Sequence, residues 1–272
     1  MNPEILNRKG ARKAQDIPQE VLTLLNSGKI ETVNLTEWLA IDHLELIKHT
    51  FEDIGISTKV LTDIYDQVAN QTKPSTMNTT KLVGSLLYEK YAGSDDFQPI
   101  LKKLSTHQSD SIRCYAPYLI ALNDQLTIEE KLDQAKKLVA DTHFGVREVV
   151  WMALRPGIDK NLDTSIKILS NWATDKDENI RRFTTESTRP RGVWCKHIDA
   201  LKENPALALP ILEPLKSDTV KYVQDSVGNW LNDASKSQPQ FVIDLCDQWQ
   251  QTSPTKETQK IIKRARRTID KK

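Results

Sequence analysis

A β-branched residue followed by arginine recurs at Ile112-Arg113, Val146-Arg147 and Ile180-Arg181, 34 residues apart each time. A fourth copy, Tyr222-Val223-Gln224, is displaced to 43 by an insertion of nine. Arg-Pro repeats at the shorter interval too, as Arg155-Pro156 and Arg189-Pro190, and an acidic turn precedes each copy (Asp110, Asp141, Asp177, Asp218). A fixed period of this length marks stacked supersecondary units. Amphipathic stretches lie between the marks, at 126–140, 161–172, 205–216 and 239–249. In the first, Leu132, Ala135, Leu138 and Val139 fall on one face of a helix. Each unit therefore reads as helix, turn, helix, and such a pair must stack on its neighbours to bury its apolar stripe. The expected fold class is all-α, an α-solenoid of HEAT-like helical repeats (an α-α superhelix). Positions 112, 146, 180 and 223 are then equivalent in successive second helices. Turn Asp and inner-helix Arg read most simply as a structural ladder between units.

The first third is helical without the period. Asp16-Ile17-Pro18 opens a helix through Leu25, which Ser27-Gly28 closes. Asn34-Leu35-Thr36-Glu37 opens another, running towards Glu52, and the polar stretch 70–80 reads as a loop. Residues 1–95 are expected to pack as a helical region on the repeats of 96–272, in one continuous domain. The end of the chain, Ile261 to Arg267, reads as a basic final helix with a solvated face or, alternatively, a phosphate contact.

Composition narrows the chemistry. With 272 residues the chain can bury a substantial core. No apolar run approaches the ~18 residues of a membrane span, and mean hydropathy is −0.51. Met1-Asn2-Pro3-Glu4 lacks a basic-then-apolar leader, so an intracellular location is expected. Three cysteines, Cys114, Cys195 and Cys246, lie far apart, which argues against a disulfide framework and a zinc site. Nine glycines leave no phosphate-cradling loop. The net charge of +1 means that any nucleic-acid affinity must come from local basic patches.

The run Thr185-Glu186-Ser187-Thr188-Arg189-Pro190-Arg191-Gly192-Val193-Trp194 carries the strongest chemical signal. It has an echo in Ser226-Val227-Gly228-Asn229-Trp230-Leu231-Asn232-Asp233. An acid, two guanidiniums and a tryptophan suit a ligand that is anionic, has flat faces and develops positive charge when it reacts. The insertion 189–197 spends its residues on Arg, Arg, Trp, Lys and His. On the helix over 220–236, Val223, Val227, Trp230 and Ala234 form an apolar stripe, and Ser226, Asn229 and Asp233 a polar one. Asn229 and Asp233 serve either a partner or the neighbouring turns. Glu186 shares a helix face with Arg182 and Arg189, so an ordinary helix ion pair is the other reading there.

These two segments together resemble the signature of the bacterial alkylpurine DNA glycosylases of the AlkC and AlkD family, built from HEAT-like repeats. The resemblance is nearer the AlkC branch, whose patterns read approximately S-E-G-T-R-P-R-x-x-W and S-V-A-N-x-L-N-D. It covers about residues 140–240. It implies a DNA repair glycosylase that excises N3- or N7-alkylated purines, such as 3-methyladenine or 7-methylguanine, without a metal or organic cofactor. By resemblance Asp233 and Glu186 take the catalytic carboxylate roles, with Trp194 and Trp151 beside the lesion. Arg155, Arg182, Arg189, Arg191, Asn229 and Lys236 would contact DNA. The implied partner is double-stranded DNA containing alkylated bases, met by a monomer in the bacterial cytoplasm at the nucleoid. One position departs. The family's preceding repeat carries a glutamate in an E-F-A-x-R-P context, where this chain has Trp151-Met152-Ala153-Leu154-Arg155-Pro156, with Glu148 one helical turn earlier. A non-catalytic binder of damaged or branched DNA and a protein-binding scaffold are the competing readings.

Overall fold

The computed structural model describes residues 3–193 and 195–271, and among them there is helix and no strand. The chain packs as two compact units. One spans 1–125 and 141–153, the other 126–140 and 154–272.

The first unit runs through α1 (Pro3–Leu6), α2 (Gln19–Asn26), α3 (Leu35–Leu39), α4 (His43–Ile54), α5 (Thr58–Ala69), α6 (Thr76–Tyr91), α7 (Phe97–Ser105), α8 (Asp110–Arg113) and α9 (Ala116–Leu122). The α2 helix ends as its sequence predicts, at Gly28, whose φ of +68° suits a residue without Cβ. The single helix expected from Asn34 towards Glu52 is two. Asn34 caps α3, and the Asp42 carboxylate then accepts from the backbone of Leu44 and Glu45 to start α4. The loop expected over 70–80 is shorter for the same reason, because Ser75 caps α6 by accepting from Asn78. A serine or aspartate inside a polar run reads as loop until its neighbours show that it faces a free helix end. The core of this unit gathers Leu46, Ile47, Phe51, Ile64, Leu87 and Tyr115, all fully buried. Buried Glu37 takes a two-pronged pair from Arg8, at 2.9 and 2.7 Å, which fastens the N-terminal segment to α3.

Next come α10 (Ile128–Val139), α11 (Phe144–Lys160), α12 (Leu162–Trp172), α13 (Glu178–Glu186), α14 (Asp199–Glu203), α15 (Leu209–Leu215), α16 (Lys221–Ala234), α17 (Pro239–Thr252) and α18 (Lys256–Ala265). The α10 helix opens on a capping box, Thr127 with Glu130. Its predicted stripe, Leu132, Ala135, Leu138 and Val139, is buried. In the second unit α16 lies against both α13 and α18. The α18 contact passes over Gly228, where a Cβ would meet the stem of Arg264 at 2.7 Å.

The period has a physical basis in its turns. Arg113 donates to the carbonyls of His107 and Gln108, Arg147 to those of Asp141 and Thr142, and Arg181 to those of Asp175 and Lys176. Gln224 does the same to Asp218. Each turn is closed from inside by a side chain that accepts from the amide two residues on. His107 serves Ser109, Asp141 serves His143, Asp175 serves Asp177 and Asp218 serves Val220. The ladder is therefore structural, and two of its acids were misassigned by sequence. Asp175, not Asp177, is the turn acid, and Asp177 caps α13. His107 holds the place given to Asp110, whose carboxylate instead binds the Thr32 amide and hydroxyl, both at 2.9 Å. Within each unit the arginine also reaches the next turn acid, Arg113 to Asp141 at 2.7 Å and Arg181 to Asp218 at 2.6 Å.

Candidate functional site

The end of α13, the segment that follows it and α16 assemble the site within the second unit. The hydroxyls of this stretch fold back on their own helix. Thr184 donates to Arg181 O, Ser187 to Phe183 O and Thr188 to Thr184 O, each at 2.7 Å. This local bonding lets four polar residues, Thr184, Thr185, Ser187 and Thr188, lie fully buried against α16. From α16, the indole of Trp230 donates to the Thr188 carbonyl at 3.0 Å. The two motifs read separately along the sequence are thus the two sides of one interface. The apolar stripe Val223, Val227, Trp230 and Ala234 is fully buried as its spacing predicts.

That packing brings Glu186 and Asp233 to one guanidinium. Arg189 donates to Asp233 Oδ2 through Nε at 2.8 Å, its Nη2 lies 2.6 Å from the same oxygen, and its Nη1 lies 3.4 Å from Glu186 Oε2. Both carboxylates are almost wholly buried, at 4% and 3% exposure. Burial works against the charge of Arg189, yet Glu186 and Asp233 outweigh it and hold its pKa above the ordinary value. The other oxygens are also engaged. Ser226 Oγ donates to Glu186 Oε1 at 2.8 Å, with Arg182 3.6 Å away, and Lys236 reaches Asp233 Oδ1 at 3.0 Å. Arg182 in turn stacks over the ring of Tyr222, its guanidinium carbon 4.2 Å from the centroid.

Arg155 takes a different place from the DNA contact expected of it. It is 3% exposed, and it donates to the carbonyls of Ser187 at 2.9 Å, Arg189 at 2.5 Å and Lys196 at 3.0 Å. Its guanidinium is spent inside the protein, where it shapes the inserted segment, and burial lowers its pKa from the ordinary value. Arg191 donates to Ser237 at 2.7 Å while its Nε is buried without a hydrogen-bond partner. Asn229 is half-buried on α16. Trp194 lies outside the described residues. Trp151 belongs to the first unit, is 3% exposed, and donates its indole N–H to Glu148 at 2.8 Å. The acid one helical turn before Trp151 is therefore already a hydrogen-bond acceptor.

Sequence reading missed two members of this assembly. Thr185 stands in the sequence only as the start of a run, yet its Oγ1 lies 2.6 Å from Ser226 Oγ. Asn232, 2% exposed, accepts from the Thr268 hydroxyl at 3.0 Å and so ties the C-terminal turn to α16. The only sequence signal for Thr185 was its place one residue before the acid. A contact between positions 41 residues apart is invisible to helical periodicity.

The chain is similar to several known proteins. An uncharacterized protein of Bacillus subtilis (strain 168), YhaZ, is 41% identical over 140 residues, which are 52% of this chain and 38% of that protein. The structure of Pseudomonas fluorescens alkylpurine DNA glycosylase AlkC, bound to DNA containing an abasic-site analogue, superimposes with a TM-score of 0.66. The identity is 22%, over 83% of this chain and 62% of that one. AlkD2 from Streptococcus mutans gives 0.62 at 23% identity, over 78% of this chain and 99% of that one. The chain thus spans well under half of YhaZ and under two thirds of the AlkC chain. The fold is that of these helical repeat proteins. A model of the family described as DNA alkylation repair enzyme matches residues 43–266, a stretch that contains the turn ladder, both motifs and the paired carboxylates, and the chain belongs to that family.

Proposed function

We propose that this chain hydrolyses the N-glycosidic bond of cationic N3- or N7-alkylated purines in double-stranded DNA. The observation that carries the reading is the pairing of Glu186 and Asp233 through one buried guanidinium. A purine alkylated at N3 or N7 is positively charged and leaves as a neutral base. Its departure leaves an oxocarbenium-like sugar, which a preorganised carboxylate stabilises while water attacks. Arg189 fixes both carboxylates so that neither must reorganise as charge develops. Arg191, Lys236 and Arg182 supply positive charge beside the acids, suited to the phosphates that flank a lesion. The AlkC structure, held on DNA with an abasic-site analogue, lends support, since that is the product side of such a reaction. Arg155 acts through the segment it shapes rather than at the backbone.

Two observations favour a second reading, binding of damaged DNA without excision. Trp151 stands where the family has an acid, and both oxygens of Asp233 are already paired with cations. One assay separates the two readings. Purified protein is incubated with duplex DNA treated with a methylating agent, and released 3-methyladenine and 7-methylguanine are quantified. Release above the spontaneous rate supports the glycosylase. Tight binding with no release would replace it by the binding protein.

A further inference from the structure

The two carboxylates have partners of different kinds, and the difference divides their labour. Asp233 is held by Arg189 and Lys236, which only donate hydrogen bonds. Both oxygens of Asp233 thus face a cation. Glu186 faces Ser226 instead, a hydroxyl that can donate or accept, and its cationic contacts are longer, 3.4 Å to Arg189 and 3.6 Å to Arg182.

Ser226 does not stand alone. Its Oγ lies 2.6 Å from Thr185 Oγ1, which lies 2.9 Å from the carbonyl oxygen of Arg182. Each hydroxyl has one proton, so the chain runs in one of two directions. With Glu186 ionised, Thr185 donates to Ser226 and Ser226 donates to Glu186. With Glu186 protonated, the acid donates to Ser226, Ser226 to Thr185, and Thr185 to the Arg182 carbonyl. Either direction satisfies the buried hydroxyls, and the exchange needs only rotation about two C–O bonds. Thr185 is fully buried and Ser226 is 1% exposed, so solvent does not substitute for the missing partner.

We infer that Thr185 and Ser226 form a reversible hydroxyl relay that makes Glu186 the proton acceptor for the attacking water, while Asp233 stays paired with its two cations. This rests on the glycosylase reading. In the step, the C1′–N bond breaks and its electron pair leaves with the alkylated base, which departs neutral. The water oxygen bonds to C1′, one water proton passes to Glu186, and the hydroxyl stays on the sugar. The relay then turns towards the Arg182 carbonyl. Thr185 and Ser226 are positioning residues, since neither touches substrate. Among the described residues, the other charged or titratable groups at the site include Arg182, Arg189, Arg191 and Cys195 on the chain around Glu186, Arg155 from α11, and Tyr222, Asp233 and Lys236 from α16 and its end. None of these offers Glu186 a hydroxyl relay ending on a backbone carbonyl.

The test uses the full chain and two substitutions with opposite expected signs. Ser226→Ala removes a donor to the ionised acid. Thr185→Val removes the acceptor that the protonated state requires. Infrared difference spectra against Glu186→Gln follow the Glu186 carboxylate band with pH. Its midpoint moves up by about one pH unit in Ser226→Ala, down by a similar amount in Thr185→Val, and stays in place in Thr185→Ser. Single-turnover base release from methylated duplex DNA shows its acid limb moving in the same directions. Shifts of the same sign in Ser226→Ala and Thr185→Val, or no shift in either, overturn the relay. Wild-type protein that releases no base overturns the glycosidic step together with the function above, and the infrared arm still decides the relay. Should Ser226→Ala fail to fold, the contrast between Thr185→Val and Thr185→Ser decides the matter.

Discussion

Arg189 holds two acids 47 residues apart in the chain within one cluster of ion pairs. Under the proposed function, Asp233→Asn keeps the shape but removes an anion that would face the developing sugar cation. Base release is expected to fall by a factor of about 10²–10³, the usual cost of losing one preorganised electrostatic group. Duplex DNA affinity should hold or rise, because Arg189 and Lys236 lose the carboxylate that now occupies them. A fall in affinity as large as the fall in rate would assign Asp233 to binding. Glu186→Gln should also slow base release by a factor of about 10²–10⁴, since the amide still accepts from Ser226 but takes no proton from the attacking water. In the first unit, His43 is buried. Burial lowers its pKa from 6.5 to about 4, with Asp42 opposing, and its Nδ1 lies 2.7 Å from the Tyr115 hydroxyl. The unfolded chain takes up this proton near pH 6.5 and the folded chain only near pH 4. Stability is therefore full above that window and falls as pH drops through it, by roughly 3 kcal/mol. Urea midpoints between pH 7 and pH 4 measure the slope, and His43→Asn should flatten it. An unchanged slope would place the acid sensitivity elsewhere.

Among the elements, the inserted segment after α13 depends on one side chain. Arg155 on α11 donates to three carbonyls of residues 187–196, and its own burial leaves no water to replace it. Arg155→Met would strand those carbonyls, with an expected cost on the order of 2–4 kcal/mol in urea denaturation. Limited proteolysis should then cut between 187 and 198 first. Uniform destabilisation without preferential cleavage there would show that the arginine holds the unit rather than the segment. How legible such an element was depended on the reach of its bonds. The stripe Val223, Val227, Trp230 and Ala234 was readable because helical spacing alone places those residues on one face. The break between α3 and α4 was not, because Asp42 carries no mark in sequence that it will cap rather than continue. Asp177 and Asp110 were misread for a related cause. Acids near a repeat mark look alike, and only the turn geometry shows that Asp175 and His107 close the loops.

For the molecule as a whole, a net charge of +1 leaves little general attraction to a polyanion. Any duplex affinity must come from a few local contacts, so under the proposed function the slope of log affinity against log salt should be that of a small number of phosphates, about −0.9 for each. Lys236→Met and Arg191→Met should each reduce that slope by about one, with little change between DNA sequences. A slope near zero, or binding absent at low salt, would support a protein-binding scaffold instead.

The 34-residue period by itself determined that the chain is helical and repetitive, because a repeated arginine closing a repeated turn is a local event within six residues. The motifs around Glu186 and Asp233 were equally visible as residue types. Tertiary structure alone decided which partners those residues have: that one guanidinium serves both acids, that Arg155 faces inward, and that Thr185 meets Ser226. These contacts join α11 to the inserted segment and α13 to α16, and their geometry comes from how the helices pack, to which spacing along one helix is blind.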